Sequence, residues 1–276
     1  MTAAGAVLLV LIFAGAGVVR ATPHGDRTVA GRLLWGAPAR ASIAGRPVSG
    51  MTFEEVESLV WSLQGTLRLP PKNASIDRRS GRIEPGRDGA TLDVELTRAA
   101  VMGAGEGETV MPRTTRVRPR ISAEDVPRLT RPLGSYATTV AGSPERRENI
   151  RLATRNLDRS LIAPGEIFSF LETLGPTTHE RGFVDAPVIV GEEFVPGPGG
   201  GVCQVATTIY NAALESGLAV VERHRHTKPV SYVPEGMDAV VASWGLDLKI
   251  LNPTDHPVML RVSLDGRRLM ARFLGP

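Results

Sequence analysis

The chain carries one cysteine, Cys203, in a context that suits nucleophilic chemistry. Gly199, Gly200 and Gly201 precede it, and the helical pattern that follows predicts that it lies in the first turn of a helix. The unpaired N–H groups and the dipole at a helix start favour a thiolate and lower the pKa of a cysteine. The glycines also offer backbone N–H groups to an oxyanion, to which Gln204 could add its amide.

A base and an orienting carboxylate follow at spacings typical of strands. His224 and His226 are two residues apart at the end of a predicted strand, where alternate residues share a face. Asp238 begins the next strand after a turn, so it could orient an imidazole that takes the proton of Cys203. Arg223 lies at the same strand end and is a candidate for contacting a substrate. This order of cysteine, histidine and aspartate predicts acyl chemistry at a thiol.

Two other interpretations of these residues stay open. A lone cysteine is among the most buried residue types, and at a tight junction of glycine and helix it could serve packing alone. The second is a tetrahedral zinc site. Its ligands would be Cys203, His224, His226 and Asp238. Apart from that possibility, the sequence predicts no cofactor.

Composition limits the chain to one or two globular domains. It has 276 residues, of which 42% are hydrophobic and 22% charged, and this is too apolar for a disordered tail. Its 32 basic and 29 acidic residues give a net charge of +3, and the basic residues are scattered along the chain. A nucleic-acid-binding domain would gather such charge on one face, so we expect no nucleic-acid partner.

The first residues predict export. Residues 2–19 carry no charge and include a run of strongly apolar side chains from Ala6 to Phe13. This segment is marginal for a membrane span of about 20 residues and long for a signal-peptide core of about 7 to 15. We expect residues 1–22 to be a signal or membrane anchor. The rest of the chain would then lie on the extracytoplasmic face of the cell membrane, or be secreted if the leader is cleaved.

After this segment, the sequence predicts a small α+β module over residues 43–102. Thr52 and Glu55 form a capping box at a helix start, and apolar residues follow at helical spacing. Because the module contains neither cysteine nor histidine, binding is a better expectation for it than chemistry. The segments typical of strands are residues 65–69, 74–77 and 90–94.

A second α+β unit is expected over residues 134–276. Residues 103–133 are rich in Gly, Pro and Arg without periodicity, which indicates a linker. Ser143 and Pro144 predict the start of a helix, and strand signals dominate the remainder around the helix of Cys203. The predicted strands are 184–190, 218–223, 230–233, 239–244 and 246–251, with a final hairpin of 258–264 and 269–274. The fold class is mixed α+β, with the cysteine-bearing helix packed on an antiparallel sheet.

Four ordered motifs mark the second unit: PGEIFSF at 164–170, GGGVCQ at 199–204, RHRH at 223–226 and YVPEGMDA at 232–239. With these motifs the unit resembles the VanW family, named from vancomycin-resistance gene clusters. The resemblance covers about residues 134–275 and implies a protein of the cell envelope, but the family has no settled reaction. The family usually has a serine two residues after the glutamine of the cysteine motif, where this chain has Ala206.

The predicted module over residues 43–102 contains KNASI at 72–76 and DGATLDV at 88–94. With these motifs it resembles a peptidoglycan-binding module that often precedes VanW domains. It implies peptidoglycan or wall peptides as partners, at a membrane that the N-terminal segment contacts.

Two functions therefore compete at this stage. In an amidase, peptidase or transferase, Cys203 would attack an acyl carbon of a wall peptide, His226 or His224 would take its proton, and Asp238 would orient the imidazole. In a binding protein, the same glycine-rich segment would recognise wall fragments and Cys203 would serve packing.

Overall fold

The structure is a computed structural model that describes residues 36–190 and 193–276, and of residues 189, 190, 193 and 194 only the backbone. The segment predicted as a signal or anchor lies outside the described residues. No helix within the described ranges combines the length and the apolar character that crossing a membrane requires. The described chain forms two compact units. The first contains the residues up to Pro71 and Asp88–Val117, and the second contains Lys72–Arg87 and Arg118–Pro276.

The described ranges contain five α-helices and a series of mostly short strands. The helices are α1 (Phe53–Leu67), α2 (Val94–Gly103), α3 (Pro144–Leu157), α4 (Phe170–Leu174) and α5 (Val202–Glu215). The first strands are β1 (Ser42–Ile43), β2 (Arg46–Pro47), β3 (Ser75–Ile76), β4 (Ile83–Glu84), β5 (Gly89–Leu92), β6 (Thr109–Val110), β7 (Thr114–Val117) and β8 (Arg131–Thr139). The remaining strands are β9 (Ser160–Ile162), β10 (Ile167–Ser169), β11 (Asp185–Val190), β12 (Glu193–Pro198), β13 (Ala219–Glu222), β14 (Lys249–Leu251), β15 (Val258–Asp265) and β16 (Arg268–Gly275).

The first unit packs α1 and α2 against two small groups of strands, β2-β1-β6 and β5-β7. The predicted capping box starts α1: Thr52 Oγ1 accepts from the Glu55 N–H at 3.3 Å, and Glu55 Oε2 accepts from the Thr52 N–H at 2.8 Å. The strand predicted over 65–69 is wrong, because α1 continues to Leu67. Helix α2 was not predicted. Its N-cap, Asp93, lies within the segment 90–94 that the sequence predicts as a strand.

The chain between the two predicted domains is packed and not an open connection. The range 103–133 contains β6 and β7, and the side chains of Ile121, Val126 and Leu129 are buried. Residues 72–87, which sequence places in the first module, belong to the second unit.

A four-stranded antiparallel sheet in the order β8-β16-β15-β9 forms the centre of the second unit. The predicted C-terminal hairpin supplies β15 and β16, with Leu264 opposite Leu269. Helix α5 packs on β8 and β16, and α3 packs on β15, so the cysteine-bearing helix lies on an antiparallel sheet. The largest side chains of this core are fully buried; they include Ile150, Leu157, Phe170, Ile209 and Phe273.

Three smaller groups of strands complete this unit. They are the sheet β10-β14-β13 and the antiparallel pairs β11-β12 and β3-β4. Residues 230–233 and 239–244, which the sequence predicts as strands, do not form strands of a sheet. The pairing there consists of isolated bridges, His224 with Val240 and Ala242 with Leu246. The segment 237–241 instead bonds largely to side chains of α5.

Candidate functional site

Helix α5 begins as predicted, and the glycines before it are packed against the protein itself. Gly201 is the N-cap with φ +106°, and Gly199 has φ +89°, so both adopt the left-handed region that favours glycine. A Cβ on Gly201 would lie 2.9 Å from the Ile150 side chain. A Cβ on Gly200 would lie 2.7 Å from the Ala186 carbonyl oxygen. The glycine run thus permits a close approach of neighbouring protein atoms.

One face of α5 is hydrogen-bonded to the extended segment 237–241 by side chains four residues apart, an arrangement that we call the α5 ladder. Four helical residues rise about 6.0 Å and two strand residues about 6.6 Å, so the two repeats stay in register. The ladder bonds are Cys203 Sγ to Val241 O at 3.5 Å, Thr207 Oγ1 to Ala239 O at 3.1 Å, and Asn211 Nδ2 to Met237 O at 2.8 Å. Thr207 makes a second bond to the same residue, because its Oγ1 also accepts from the Ala239 N–H at 2.9 Å.

The thiol of Cys203 is therefore engaged as a donor. The residue is half-buried, and burial raises the pKa of the thiol. The positive charge of Arg146 lowers this pKa only in part. A carbonyl oxygen accepts a proton that a thiol has and a thiolate lacks, so the Val241 oxygen stabilises the neutral form. The predicted lowering of the Cys203 pKa is wrong, because burial outweighs the effect of the helix start.

The two histidines bind different carboxylates. His226 Nδ1 lies 2.7 Å from Asp238 Oδ2, and the His226 backbone N–H donates to the same oxygen at 2.7 Å. His224 Nε2 lies 3.0 Å from Glu222 Oε1. Strand β13 ends at Glu222, so the alternation that would put both rings on one face does not reach them. Within residues 193–276, the Cys203 sulfur hydrogen-bonds to the Val241 carbonyl and to neither imidazole ring.

Asp238 is a buried anchor for the turn that precedes the ladder. Burial raises its pKa, but the hydrogen bonds and charge of His226 outweigh this effect and hold the pKa of Asp238 below its ordinary value. Arg223 Nη2 donates to Asp238 Oδ1 at 3.3 Å, and Arg223 Nε donates to Asp238 O at 2.7 Å. The same guanidinium donates to Gly236 O at 2.7 Å and lies 5.0 Å above the Tyr210 ring. Arg223 is thus bound to the protein's own main chain.

Gln204, a candidate for the oxyanion site, uses both ends of its amide inside the core. Its side chain accepts from Arg146 Nη2 at 2.8 Å and donates to Thr138 Oγ1 at 3.0 Å and to Thr139 O at 3.1 Å. Gln204 is buried, so this amide links α5 to α3 and β8. These bonds hold α5 in place and point the Gln204 amide into the core, away from any substrate.

Several neighbours of Cys203 were not identified from the sequence. Thr207 and Asn211 follow Cys203 at i+4 and i+8, and this polar stripe on a largely apolar helix is a signal that the sequence does contain. Arg146 carried no such signal, because charged residues are common in the first turns of exposed helices. Tyr232 lies in the same neighbourhood, where burial raises its pKa.

The four residues of the alternative zinc site are not gathered as ligands. Asp238 and His226 pair with each other, whereas the Cys203 sulfur bonds to a carbonyl oxygen and His224 bonds to Glu222. In the described part of the chain, no three His, Cys, Asp or Glu side chains are grouped so that they could hold a metal ion.

Comparison with known proteins relates the second unit to a family. Residues 145–274 match the family described as VanW like protein. The chain is 33% identical over 220 residues to the uncharacterized protein YoaR of Bacillus subtilis (strain 168), covering 78% of this chain and 72% of that protein. It is 28% identical over 129 residues to the vancomycin B-type resistance protein VanW of Enterococcus faecalis (strain ATCC 700802 / V583), covering 45% and 47%. No solved structure matches the chain.

Proposed function

The chain belongs to the VanW family, and we propose that it is an exported cell-envelope protein that recognises peptidoglycan, with Cys203 as a packing residue. The observation that favours recognition over catalysis is the hydrogen bond from Cys203 Sγ to Val241 O within the α5 ladder. A thiol whose pKa is raised stays protonated at neutral pH and is a weak nucleophile.

Two observations favour a location in the cell envelope. The uncharged segment 2–19 suits export, through either a cleaved leader or an anchor in the membrane. One relative is named for vancomycin resistance, and this name agrees with a role at the extracytoplasmic face of the cell membrane.

The first unit offers a surface for the sugar part of the wall polymer. We define the module groove as a depression of about 410 Å³ on this unit. Trp61 is 53% exposed and lies one helical turn before Gln64 and Gly65, two residues that line the groove. A tryptophan offers an apolar face and an N–H donor, which suit the C–H face and the hydroxyl edge of a sugar ring. The module groove is lined by Gln64, Gly65, Arg68, Leu69, Pro71, Ala90, Thr91 and Val117.

Cosedimentation with purified peptidoglycan sacculi tests this function. We expect the full chain and a Cys203→Ala variant to sediment alike, since the sulfur has only a packing role. Trp61→Ala should weaken sedimentation by about tenfold, which corresponds to about 1.4 kcal/mol of lost contact. Leu96→Ala is a matched control, because Leu96 is another exposed apolar side chain on a helix of the same unit. Absence of binding by the unaltered chain would overturn the proposal.

Cysteine catalysis is the second candidate, and one observation favours it. His226 Nδ1 and Asp238 Oδ2 are 2.7 Å apart, and a carboxylate at Nδ1 orients an imidazole to exchange a proton at Nε2. In this alternative, Cys203 forms an acyl intermediate with a wall peptide and water releases it. New amino groups would then appear in sacculi treated with the full chain and would be absent with Cys203→Ala.

A further inference from the structure

The second unit contains a larger depression, which the function proposed above does not use. We call it the hairpin groove: it measures about 650 Å³ and lies between the β3-β4 hairpin, β9 and β10. Its lining includes the apolar side chains of Ile76, Leu161 and Ile167. Ile167 is 52% exposed although it is a large apolar residue on a strand. An apolar surface held open in this way is available to a ligand.

Two edge strands border the hairpin groove. Strand β9 is the outer strand of the four-stranded sheet, and β10 is the outer strand of the sheet β10-β14-β13. The Asn252 N–H donates to Glu166 O at 3.0 Å, and the Phe170 N–H donates to Leu248 O at 3.0 Å. Hydrogen bonding alternates along an antiparallel strand, so the N–H and C=O of Ile167 point away from β14. This outward pair of backbone groups is the kind to which an extended peptide adds as a further strand.

Basic side chains gather at the turn of the β3-β4 hairpin. Arg78 Nη2 donates to Ser160 Oγ at 3.1 Å, which holds this guanidinium beside β9. A Cβ on Gly81 would lie 2.7 Å from Arg159 Nη1, so the Arg159 guanidinium rests against the same turn. Arg79, which is exposed, adds a third positive charge to the lining. This end of the groove suits a carboxylate.

Acidic side chains flank β10 and also occur on the hairpin. Glu166 precedes β10 and Glu172 follows it, and both line the groove. Asp77 accepts from Ser80, Glu84 accepts from Ser75, and Glu166 accepts from the Ala163 N–H, and these bonds leave each carboxylate charged. Three arginines outnumber Asp77 at the turn, whereas two acids lie beside β10, so the groove complements a ligand that carries both signs.

We propose that the hairpin groove binds an extended peptide with a free carboxylate and a free amino group by strand addition to β10. The identification of this peptide with the stem peptide of the wall rests on the proposed function. The amide groups of a wall glycan are separate acetamido substituents and do not form an extended backbone that could continue the pairing of a strand, so the edge favours the peptide part of the polymer.

The test measures binding of a defined peptide to the full chain by isothermal titration. The probe is Ala-Glu-Lys-Ala-Ala with free termini and free side chains. The comparison peptide has the same sequence with acetylated amino groups and amidated carboxyl groups. We expect the free peptide to bind and the blocked peptide to bind at least about tenfold more weakly. Equal affinities, or no binding of the free peptide, would overturn the assignment.

Two variants locate the peptide on the protein. Ile167→Pro deletes the outward N–H, which an edge strand tolerates, and should weaken binding about tenfold, whereas Ile167→Val should not. Arg79→Glu reverses a charge at the turn and should weaken the free peptide more than the blocked one, whereas Arg79→Lys should preserve most affinity. Thermal unfolding checks that each variant is folded. Unchanged affinity in both Ile167→Pro and Arg79→Glu would overturn the site.

Sacculus binding separates this inference from the proposed function. If the full chain sediments with sacculi but does not bind the free peptide, the hairpin groove is refuted and the wall-binding function stands. If the peptide binds at the groove but the chain does not sediment with sacculi, the peptide site stands and the wall is not its source.

Discussion

Replacing Thr207 by valine removes the central bonds of the α5 ladder while preserving the shape of the side chain. The Thr207 hydroxyl accepts from the Ala239 N–H at 2.9 Å and donates to the Ala239 carbonyl at 3.1 Å. Both residues are fully buried, so valine would leave one N–H and one C=O without a partner. Each unsatisfied backbone group costs about 1–3 kcal/mol, which predicts a loss of about 2–6 kcal/mol in the free energy of unfolding.

Chemical denaturation and thermal unfolding measure this loss. For a unit of this size, 1 kcal/mol corresponds to about 2–4 °C, so Tm should fall by roughly 5 °C or more. Thr139→Val is the matched control, because Thr139 is exposed on β8 and should lose less than about 0.5 kcal/mol. A Thr207→Val variant as stable as this control would refute the account of the ladder, and with it the packing role of Cys203.

Three further changes test the surroundings of the ladder. Gly201→Ala should destabilise the chain by about 2 kcal/mol or more in denaturant unfolding, since the residue has φ +106° and a Cβ would meet Ile150 at 2.9 Å; wild-type stability would contradict this. Arg223→Lys should cost about 1–3 kcal/mol in the same assay, because a lysine cannot reproduce the bonds to Gly236 and Asp238; a loss below about 0.5 kcal/mol would speak against it. The pKa of Asp238 is lowered in the folded chain, so its contribution to stability is present above about pH 4 and is lost as pH falls through the folded pKa. Thermal unfolding between pH 3 and 7 should therefore show a weaker acid dependence in Asp238→Asn, and an unchanged profile would count against the pairing with His226.

Local sequence patterns predict correctly the elements whose starts and turns are determined by neighbouring residues. The capping box of Thr52 and Glu55, the glycine start of α5 and the C-terminal hairpin all lie where the sequence predicts them. In each case the determining residues are within four positions of one another, so propensity and capping decide the structure.

Long-range contacts decided the features that the sequence did not predict. The segment 239–244 has the composition of a strand, but its N–H and C=O groups are satisfied partly by Thr207, 32 residues earlier. Helix α2 was missed because Asp93 can end a strand as well as cap a helix.

The candidate site shows the same limit. The sequence identified Asp238 and His226, which do meet, but periodicity says nothing about whether a sulfur contacts an imidazole or a carbonyl. Burial, which decides the direction of the Cys203 pKa, depends on side chains from the whole unit and not on the helix start alone.

Alkylation of Cys203 by iodoacetamide in the native chain, followed by mass spectrometry across pH 6 to 9, tests the central claim most directly. A free thiol with a pKa of about 8.5 is about 3% ionised at pH 7. We predict labelling at least tenfold slower than in the urea-unfolded chain, and slower still under conditions that stabilise the fold. Rapid labelling of the folded chain that titrates well below pH 8.5 would contradict the packing role and favour a thiol nucleophile.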